Sequence, residues 1–316
     1  MISVCIPVYN YHAYPLVRSL SSEIEQLGAQ DRFEIVCIDD HSSDECRNQN
    51  KGIENLAVCH FLDANIGRAQ IRNLFLQKTK GKWLLFLDND SVVPDRFLQN
   101  YEEAINDKAD VIVGGRIYDP GSDDRQHHLR YLYGTRVESR TVGERRKKPY
   151  RSFMTNNFMV RRSVMENIQF DPRLANYGHE DTLFGYRLEQ HQIPILHIDN
   201  PVVNGYVESN KEFLQKTVEG IESLVFIYNF MQDDPRFCQS VRLIDTYVKL
   251  RRLGLFKVVY NFFERNRESM ELHFETGKGF SLRQFSLYKL GLFIEKNNGI
   301  GYAGVSPALI KETIQL

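Results

Sequence analysis

Two carboxylates, Asp88 and Asp90, directly follow a run of five apolar residues at positions 83–87. Such a run is typical of a strand buried on both faces, as in a parallel sheet. Neighbouring carboxylates repel each other unless a cation lies between them, and ligands of open α/β sheets collect at the carboxyl ends of strands. The pair therefore predicts a divalent-metal site for a phosphorylated ligand. A turn that caps the helix beginning near Pro94 is the alternative.

Other acidic residues occupy comparable positions. Asp39 and Asp40 follow the apolar run at 33–38, and Glu180 and Asp181 precede a helical pattern at 182–190. The helix dipole favours carboxylates at a helix N-terminus, so the second pair by itself requires no catalytic explanation. Polar groups at the ends of several strands nevertheless predict one site at a single edge of a sheet.

The elements that must position these residues alternate between strands and helices. Strand patterns occur at 2–8, 33–38, 56–61, 83–87, 110–117, 153–160 and 193–198. This alternation predicts βαβ units, and therefore an α/β fold with a mostly parallel sheet flanked by helices. Beyond about residue 208, long helical patterns occur at 213–231, 241–263 and 282–294. We therefore expect an α/β domain at 1–207 and a C-terminal helical region at 208–316.

The composition is that of a globular protein: 42% of the 316 residues are hydrophobic, 26% are charged, and the net charge is −1. This balance argues against binding of a bulk polyanion and leaves only local basic patches for such a partner. The five cysteines show no CxxC spacing, and Cys5, Cys37 and Cys59 lie in apolar runs, so we expect these three to be buried thiols in a reducing compartment. The chain starts in a strand and has no apolar run of about 18 residues. We expect a cytoplasmic protein without a signal peptide or membrane span.

Two segments are unusual in charge. Residues 125–151 contain nine Lys or Arg against two Glu, which indicates either a solvated, mobile excursion or a basic flap over an anionic ligand. Residues 248–259 are apolar and basic together, as interfacial helices are. Packing of these apolar residues onto the α/β domain is the alternative to peripheral membrane contact.

Five short motifs occur in one order along the chain. They are VCIPVYN at 4–10, DDHSSD at 39–44, NIGR at 65–68 with RN at 72–73, DND at 88–90, and GHED at 178–181 with an arginine at 187. In this order they resemble the family 2 glycosyltransferases, inverting enzymes with the Rossmann-like GT-A fold. The resemblance covers roughly residues 1–207. It implies a metal-dependent transferase that uses a nucleotide-sugar donor.

The resemblance also implies where the donor binds. Asp39 matches the carboxylate that accepts a hydrogen bond from the base, which a uracil imide could donate, whereas Asp40 is expected to serve the turn. Gly67 would allow close backbone approach to the donor, and Arg72 would balance the acidic pocket. A helix cap at Asp39 and a surface charge at Arg72 are the alternatives. The predicted donor-binding residues are Pro7, Tyr9, Asn10, Asp39, Asn65, Gly67, Arg68, Arg72, Asp88 and Asn89.

The metal and the catalytic base follow from the same resemblance. Asp90, with Asp88, would hold Mn²⁺ or Mg²⁺. Asp181 matches the general base, and Glu180 beside it would position the acceptor or the donor sugar. Arg187 would hold these carboxylates in place.

Further residues are assigned less directly. Asn156, Asn157 and His179 would line the acceptor side, although amides in a strand can also bond across the sheet. Family members often add a histidine ligand downstream of the Glu-Asp pair. His197 is one candidate, with a core histidine as its alternative. If the usual position is instead 204, Asn204 replaces the histidine and weakens metal binding.

The resemblance, together with these residues, implies an inverting hexosyltransferase. It would move a sugar from a UDP-sugar to a hydroxyl of a glycan or lipid-linked oligosaccharide in surface-polysaccharide assembly. We expect no nucleic-acid partner, and we expect the inner membrane face as a candidate peripheral contact. Two other classes remain open: a catalytically silent nucleotide-sugar-binding subunit, and a sugar-1-phosphate nucleotidyltransferase. The latter should have a Gly-rich basic loop after its first strand, where this chain has PVYNYH at 7–12.

Overall fold

The computed structural model describes residues 1–297. Contacts within the chain divide it into two compact units, with the division between Phe213 and Leu214. Every strand of the described residues lies in the first unit, and the second unit is helical.

Seven strands of the first unit form one sheet in the order β3-β2-β1-β4-β8-β6-β9, and three form a small sheet in the order β5-β10-β7. The strands are β1 (Ile2–Val8), β2 (Phe33–Asp39), β3 (Val58–Phe61), β4 (Trp83–Leu87), β5 (Ser91–Val92), β6 (Val111–Val113), β7 (Arg116–Ile117), β8 (Asn157–Arg161), β9 (Ile195–His197) and β10 (Val202–Asn204). In the large sheet β1 to β4 are parallel, β8 is antiparallel to both neighbours, and β9 is parallel to β6. The prediction of an α/β fold with a mostly parallel sheet is therefore confirmed.

The central strand is β4, the apolar run that precedes Asp88. All five of its residues are buried, and β1 pairs with it along one edge and β8 along the other. Its carboxyl end lies at the same sheet edge as the ends of β1 and β2, which are parallel to it. The polar residues that follow these strands therefore share one edge, where ligands of such sheets bind.

The small sheet brings later parts of the chain to this edge. In it, β10 pairs antiparallel with β5, which places Asn204 opposite Ser91. On its other side β10 pairs parallel with β7, which places Val202 beside Arg116. Residues distant in sequence thus flank the turn at 88–90.

Helices cover the sheet of the first unit. They are α1 (Tyr14–Gln26), α2 (Asp44–Gln49), α3 (Gly67–Lys78), α4 (Phe97–Ala104), α5 (His128–Tyr133), α6 (Val142–Lys147), α7 (Arg162–Asn167) and α8 (Glu180–Gln190). Phe86 of β4 stacks on Phe158 of β8, with ring centroids 4.9 Å apart. Phe184 of α8 stacks on Phe170 at 4.2 Å. Phe184 also contacts Phe158 of the sheet, with ring centroids 6.4 Å apart, so α8 is packed against the sheet. Such aromatic contacts contribute about 0.5–1.5 kcal/mol each beyond area burial.

The basic segment at 125–151 is folded into α5, a π-helical turn (Gly134–Glu138), α6 and a 3₁₀ turn (Tyr150–Ser152). Two of its arginines, Arg130 and Arg145, are buried. Arg145 donates to the carbonyls of Val113, Gly114 and Ile198, at the ends of β6 and β9. Arg146 also donates to the carbonyl of His197 in β9, at 2.9 Å. The interpretation as a mobile excursion is therefore wrong, because Arg145 and Arg146 fasten the segment to the sheet.

Two strand boundaries differ from the prediction. The pattern at 110–117 is interrupted at Gly114 and Gly115, and Gly115 has a φ of +98° that side chains rarely adopt. A Cβ on Gly114 would lie 2.5 Å from the Asn200 carbonyl oxygen. The pattern at 153–160 becomes a strand only at Asn157. Tertiary contacts, which the pattern does not contain, set both boundaries.

The second unit contains the remaining helices. They are the continuation of α9 (Asn210–Met231), which crosses the division, followed by α10 (Pro235–Ser240), α11 (Arg242–Arg252), α12 (Phe256–Thr276) and α13 (Leu282–Asn297). Ring contacts join α12 to α13, with centroids 5.3 Å apart for Phe274 and Phe285 and 5.7 Å for Phe263 and Tyr288. The predicted C-terminal helical region is confirmed for the residues that the structure describes. None of the helices in residues 1–297 has the length and apolar character that crossing a membrane requires.

Candidate active site

The DND turn, residues 88–90, is fixed by backbone hydrogen bonds on two sides. The Asp88 N–H donates to the Asn156 carbonyl at 3.1 Å, and the Gly205 N–H donates to the Asp90 carbonyl at 2.7 Å. A Cβ on Gly205 would lie 2.5 Å from that carbonyl oxygen, so this close approach requires glycine. The turn is therefore held between the start of β8 and the end of β10.

Two arginines hold the Asp88 carboxylate. Arg72 of α3 donates to its Oδ1 at 3.0 Å, and Arg116 of β7 donates to its Oδ2 at 3.3 Å. The Nε atoms of both arginines are buried and have no hydrogen-bond partner in the described chain. Buried donors without partners are rare in folded proteins, so both arginines keep hydrogen-bonding capacity that Asp88 does not use. Sequence reasoning missed Arg116, because a single arginine in a two-residue strand has no pattern around it.

Arg72 also connects the DND turn to the second carboxylate pair. Its side chain is 3% exposed and contacts Glu180 Oε1 at 3.3 Å. Arg68, one turn earlier on α3, lies 3.5 Å from the same oxygen, and its guanidinium lies over the Tyr177 ring at 4.4 Å. One buried guanidinium therefore brings the carboxylates at the end of β4 and at the start of α8 into a single cluster.

Asp90 differs from Asp88 in its surroundings. Its carboxylate has no arginine within salt-bridge distance among residues 1–297. Burial, and then repulsion by the Asp88 charge, raises the pKa of Asp90 from 3.8 to about 6. A nearby cation would favour the ionised carboxylate, so this position is suited to a metal.

The donor set determines which metal fits. Within the described residues no group of three or more His, Cys, Asp or Glu side chains is arranged to hold an ion. Mg²⁺ and Mn²⁺ prefer oxygen ligands, and Mg²⁺ is usually held by one or two carboxylates with substrate phosphates and waters in the other positions. Asp90, with Asp88 beside it, supplies such a partial set, and the residues therefore fit the cation that the resemblance implies.

Asp181 lies in the first turn of α8, directly after Glu180. Its Oδ1 accepts hydrogen bonds from the N–H of Thr182 at 2.6 Å and from its hydroxyl at 3.2 Å. Burial, and then the charge of Glu180, raises the pKa of Asp181 from 3.8 to about 7. A general base is most effective when its pKa lies near the working pH. Asp181 therefore has the properties that proton abstraction at neutral pH requires.

The loop before α8 has an unusual backbone. Gly178 has a φ of +95° and His179 a φ of +66°. A positive φ in this range costs a non-glycine residue about 1 kcal/mol or more of conformational free energy. His179 Nδ1 lies 3.0 Å from the Thr182 hydroxyl, which also contacts Asp181. The strained position of His179 thus places its ring near the candidate base.

Asp39 and Asp40 at the end of β2 have separate contacts. Asp39 Oδ1 accepts from the Ser42 N–H at 2.9 Å and from Arg47 Nε at 3.1 Å. The Asp40 carboxylate accepts from the backbone N–H groups of Ile66 and Gly67 at 2.8 and 3.0 Å. Asp40 therefore fixes the start of α3, whereas one oxygen of Asp39 caps the turn before α2.

The loop after β1 lies beside these residues. The Asn10 N–H donates to Ser42 Oγ, and Asn10 Oδ1 accepts from the Ser43 N–H, each at 2.9 Å. Tyr9 is 52% exposed, and Pro7 is half-buried in β1. A cavity of about 230 Å³ adjoins Asp39, and its walls include Val8 of β1 and Phe61 of β3.

The segment at 65–68 lies beside Asp40, at the end of β2. Asn65 donates to the Asp40 carbonyl at 3.1 Å. Gly67 has a φ of +79°, and a Cβ there would lie 2.6 Å from the Ala175 carbonyl oxygen. Glycine is therefore required at 67 by the chain's own backbone. A close approach to the donor is not needed to explain it.

Comparison with known proteins decides the family. The family model described as "Glycosyl transferase family 2" matches residues 3–169, more than half of the 316-residue chain. The chain belongs to glycosyltransferase family 2. The resemblance drawn from the five motifs is thereby confirmed.

Individual relatives support this assignment. The glycosyltransferase is 32% identical over 117 residues to a poly(ribitol-phosphate) β-N-acetylglucosaminyltransferase, TarP, of Staphylococcus aureus; the match spans 36% of each chain. It is 23% identical over 276 residues to an uncharacterized glycosyltransferase of Haemophilus influenzae, covering 83% of this chain and 93% of that one. Among solved structures, a mannosyltransferase of Pyrobaculum calidifontis in complex with GDP-Man and Mn²⁺ aligns with a TM-score of 0.57 at 14% identity, over 95% of this chain and 88% of the other. This last similarity shows the shared GT-A fold.

Asn157 does not belong to the site of this glycosyltransferase. It is fully buried, its Oδ1 accepts from the Tyr101 hydroxyl at 2.6 Å, and its Nδ2 donates to two carbonyls at 2.9 Å. The prediction of an acceptor-side role is wrong, because the core uses the whole amide. Asn156 is different: it is 3% exposed, and neither amide atom has a hydrogen-bond partner in the part of the chain that is described.

His197 cannot serve as a metal ligand. It is fully buried in β9, with Nδ1 3.1 Å from Arg145 and Nε2 3.0 Å from the Pro149 carbonyl. Burial lowers its pKa to about 4, so the ring is neutral and packed in the sheet. Asn204 instead lies opposite Ser91, the residue after Asp90. A metal role for His197 is therefore wrong, and an asparagine occupies the strand position beside the DND turn.

Arg187 also has a different role from the predicted one. It donates to Asp171 Oδ2 at 2.7 Å, and Arg173 binds the same carboxylate. No contact with Glu180 or Asp181 is formed in the described structure. The arginine that holds Glu180 is Arg72, because α3 and not the far end of α8 lies against that carboxylate.

Proposed function

We propose that this family 2 glycosyltransferase is an inverting, metal-dependent hexosyltransferase. It would take an α-linked sugar from a nucleotide donor and form a β-glycosidic bond to an acceptor hydroxyl. The observation that supports the proposal most strongly is the double contact of Arg72 with Asp88 and Glu180, at 3.0 and 3.3 Å. This contact joins the DND turn to Glu180, the residue before the candidate base, and a single displacement requires the base and the leaving-group site to act on one bound sugar.

The displacement requires a base for the acceptor hydroxyl and positive charge near the leaving diphosphate. Asp181 takes the proton from the acceptor hydroxyl as that oxygen forms its bond to the anomeric carbon. The bond from this carbon to the diphosphate oxygen breaks at the same time, and its electron pair leaves with the nucleoside diphosphate. A Mn²⁺ or Mg²⁺ held by Asp90 would supply positive charge to the departing diphosphate. Arg72 and Arg116 keep Asp88 in place beside that position.

The donor would extend from the DND turn to the end of β2. We assign the nucleobase to the region of Asp39 and its adjoining cavity of about 230 Å³. Asp39 Oδ1 is engaged by Ser42 and Arg47, and a uracil imide N–H could donate to its carboxylate. A UDP-sugar is therefore our proposed donor. The unpartnered amide of Asn156, next to the backbone of Asp88, would bond to the sugar or the acceptor.

The acceptor is proposed to be a glycan or lipid-linked oligosaccharide in surface-polysaccharide assembly. One relative is named for transfer to poly(ribitol-phosphate), an anionic polymer, and this chain covers only 36% of that relative's length. The segment at 125–151 has exposed cations at the sheet edge that also holds Asp88, including Lys147 and Lys148. These charges favour an acceptor that bears phosphate or carboxylate groups. The five free thiols agree with a cytoplasmic enzyme that meets such an acceptor at the inner membrane face.

Replacement of the base separates catalysis from binding. Asp181→Asn should lower the transfer rate by about 10²–10⁴-fold, the usual contribution of a general base, with little change in donor affinity. Glu189→Gln, an exposed carboxylate on the same helix, is the matched control and should leave both unchanged. Transfer would be followed by nucleoside diphosphate release, and donor binding by calorimetry. Normal transfer by Asp181→Asn would refute the assignment of the base.

The silent nucleotide-sugar-binding subunit is the competing function. It predicts donor binding by the wild-type protein without transfer and without donor hydrolysis, over a panel of nucleotide sugars with Mn²⁺. The raised pKa of Asp181 favours the enzyme, because a silent binder has no need for a carboxyl that titrates near neutrality.

A further inference from the structure

The turn between α11 and α12 exposes a cluster of large apolar side chains. Leu253 is 69% exposed, Leu255 45%, Val258 64% and Phe262 49%. Gly254 has a φ of +70°, which allows the chain to reverse direction here with leucines on both sides of the glycine. We call these four apolar residues the α11–α12 tip. Single exposed apolar residues need no explanation, whereas a group of adjacent ones marks an interaction surface.

Packing within the second unit does not account for the tip. The face of α12 that packs in the helical unit contains Phe263, Met270 and Phe274, all of them buried. Leu255, Val258 and Phe262 follow one another at spacings of three and four residues, so they form a separate stripe on the helix. The helix therefore has one apolar face that meets its own unit and a second one that does not.

Within residues 246–263, which include the tip, all charged side chains are basic, whereas Asp245 and Glu264 lie just outside this range. From Thr246 to Phe263 the chain has four cations, Lys249, Arg251, Arg252 and Lys257, and no Asp or Glu. All four cations are exposed. Lys249 pairs with Asp245 at 2.7 Å, and the other three lie at or beside the turn. An apolar tip with a basic border has the composition of elements that insert shallowly into the headgroup region of an anionic membrane.

We propose that the α11–α12 tip docks this glycosyltransferase onto an anionic lipid surface. The tip leucines, Val258 and Phe262 would enter the boundary between headgroups and acyl chains, while Arg251, Arg252 and Lys257 contact lipid phosphates. A second copy of the chain is a poorer occupant, because a two-fold contact through the tip would set like charges against each other. The proposal goes beyond the transferase activity and does not depend on it, since it concerns residues of the second unit only.

Vesicle binding by the full-length protein tests the proposal. Wild type should bind vesicles of phosphatidylcholine containing about a third phosphatidylglycerol at least about tenfold more tightly than vesicles of phosphatidylcholine alone. The triple variant Leu253→Ser, Val258→Ser, Phe262→Ser should lose about tenfold or more of this affinity. Arg251→Gln combined with Arg252→Gln and Lys257→Gln should abolish the preference for anionic vesicles. Leu272→Ser, which replaces a 60% exposed leucine elsewhere on α12, is the control and should bind as wild type does.

Two further measurements make the outcome decisive. Unfolding curves and transfer to a water-soluble acceptor should be the same for wild type and variants, which separates lost docking from lost folding or lost activity. Sedimentation without vesicles should show the same mass for wild type and the serine variant. Equal vesicle binding by wild type and the serine variant would overturn the proposal. A wild-type dimer that the serine substitutions dissociate would overturn it as well, and would identify the tip as a contact between copies.

Discussion

If Asp181 is the general base, its titration should limit the pH range in which this glycosyltransferase works. Burial and the Glu180 charge raise its pKa to about 7, so the carboxyl is protonated, and unable to accept a proton, below that pH. We expect kcat/KM to fall about tenfold per pH unit on the acid side of 7 and to level off above it. The measurement is a profile of transfer rate against pH at saturating Mn²⁺. In Asp181→Asn this acid limb should disappear, and a flat wild-type profile from about pH 5.5 to about 8.5 would contradict the assignment.

The two carboxylates of the DND turn should respond differently to substitution. Asp90→Asn should weaken Mn²⁺ binding in the presence of UDP by about tenfold or more, because it removes the carboxylate that no arginine holds. Asp88→Asn should weaken it less, since both oxygens of Asp88 are engaged by Arg72 and Arg116. In wild type the affinity should fall as the pH drops through about 6, where Asp90 takes up a proton. Calorimetric titration with Mn²⁺ measures the affinity of each variant and that of wild type at each pH. An equal loss of affinity in Asp90→Asn and Asp88→Asn would refute the different roles assigned to the two carboxylates.

At the scale of elements, Arg72 is the contact that joins α3, β4 and α8. Arg72→Met would leave Glu180, 3% exposed, as a buried carboxylate with only Arg68 nearby, which we expect to cost about 3–5 kcal/mol of unfolding free energy. Arg68→Met is the matched control: its side chain is 40% exposed, and it should cost about 1 kcal/mol or less. Urea unfolding measures the change in unfolding free energy of each variant relative to wild type.

A second substitution tests the physical reason for this loss. Adding Glu180→Gln to Arg72→Met should recover part of the stability, because it removes the buried charge that lost its partner. The prediction fails if Arg72→Met and Arg68→Met are equally destabilised, or if the double variant is less stable than Arg72→Met.

For the molecule as a whole, charge is unevenly distributed. The net charge is −1, yet residues 125–151 hold nine cations against two Glu. If this segment binds an anionic acceptor, KM for that acceptor should rise several-fold as ionic strength increases from about 0.05 to about 0.3 M, because salt screens exposed charges. KM for a neutral acceptor should change little. Lys147→Glu with Lys148→Glu should raise KM for the anionic acceptor, whereas Lys78→Glu with Lys108→Glu, exposed lysines outside the segment, should not. An anionic acceptor whose KM is insensitive to salt would exclude this role.

Local sequence patterns correctly predicted those features that depend on adjacent residues, such as a buried strand or a polar residue at the end of an element. The run at 83–87 predicted a buried central strand, because only a strand covered on both faces can bury every residue. The position of Asp88, Asp90, Glu180 and Asp181 at element ends followed from the same local patterns. Of the three cysteines expected to be buried, Cys5 and Cys37 are buried and Cys59 is only partly buried.

Contacts between distant segments decided the rest. Asn157 looked like a site residue from its sequence neighbours, but Tyr101 and two carbonyls from other elements use its amide. Arg187 was expected beside the catalytic carboxylates, and it pairs with Asp171 instead. Arg116 was not predicted at all, because its place depends on the pairing of β7 with β10.

The sequence by itself determined the family, the α/β class and the chain order of the strands in the large sheet, since hydrophobic periodicity and short motifs are properties of adjacent residues. It did not show the small sheet, or that the helical pattern at 241–263 is divided into α11 and α12. Only the tertiary structure decided which charges meet. Electrostatic energies and pKa values depend on distance and burial, and only folding brings Arg72 to 3.0 Å from Asp88 and to 3.3 Å from Glu180, which lies 108 residues further along the chain.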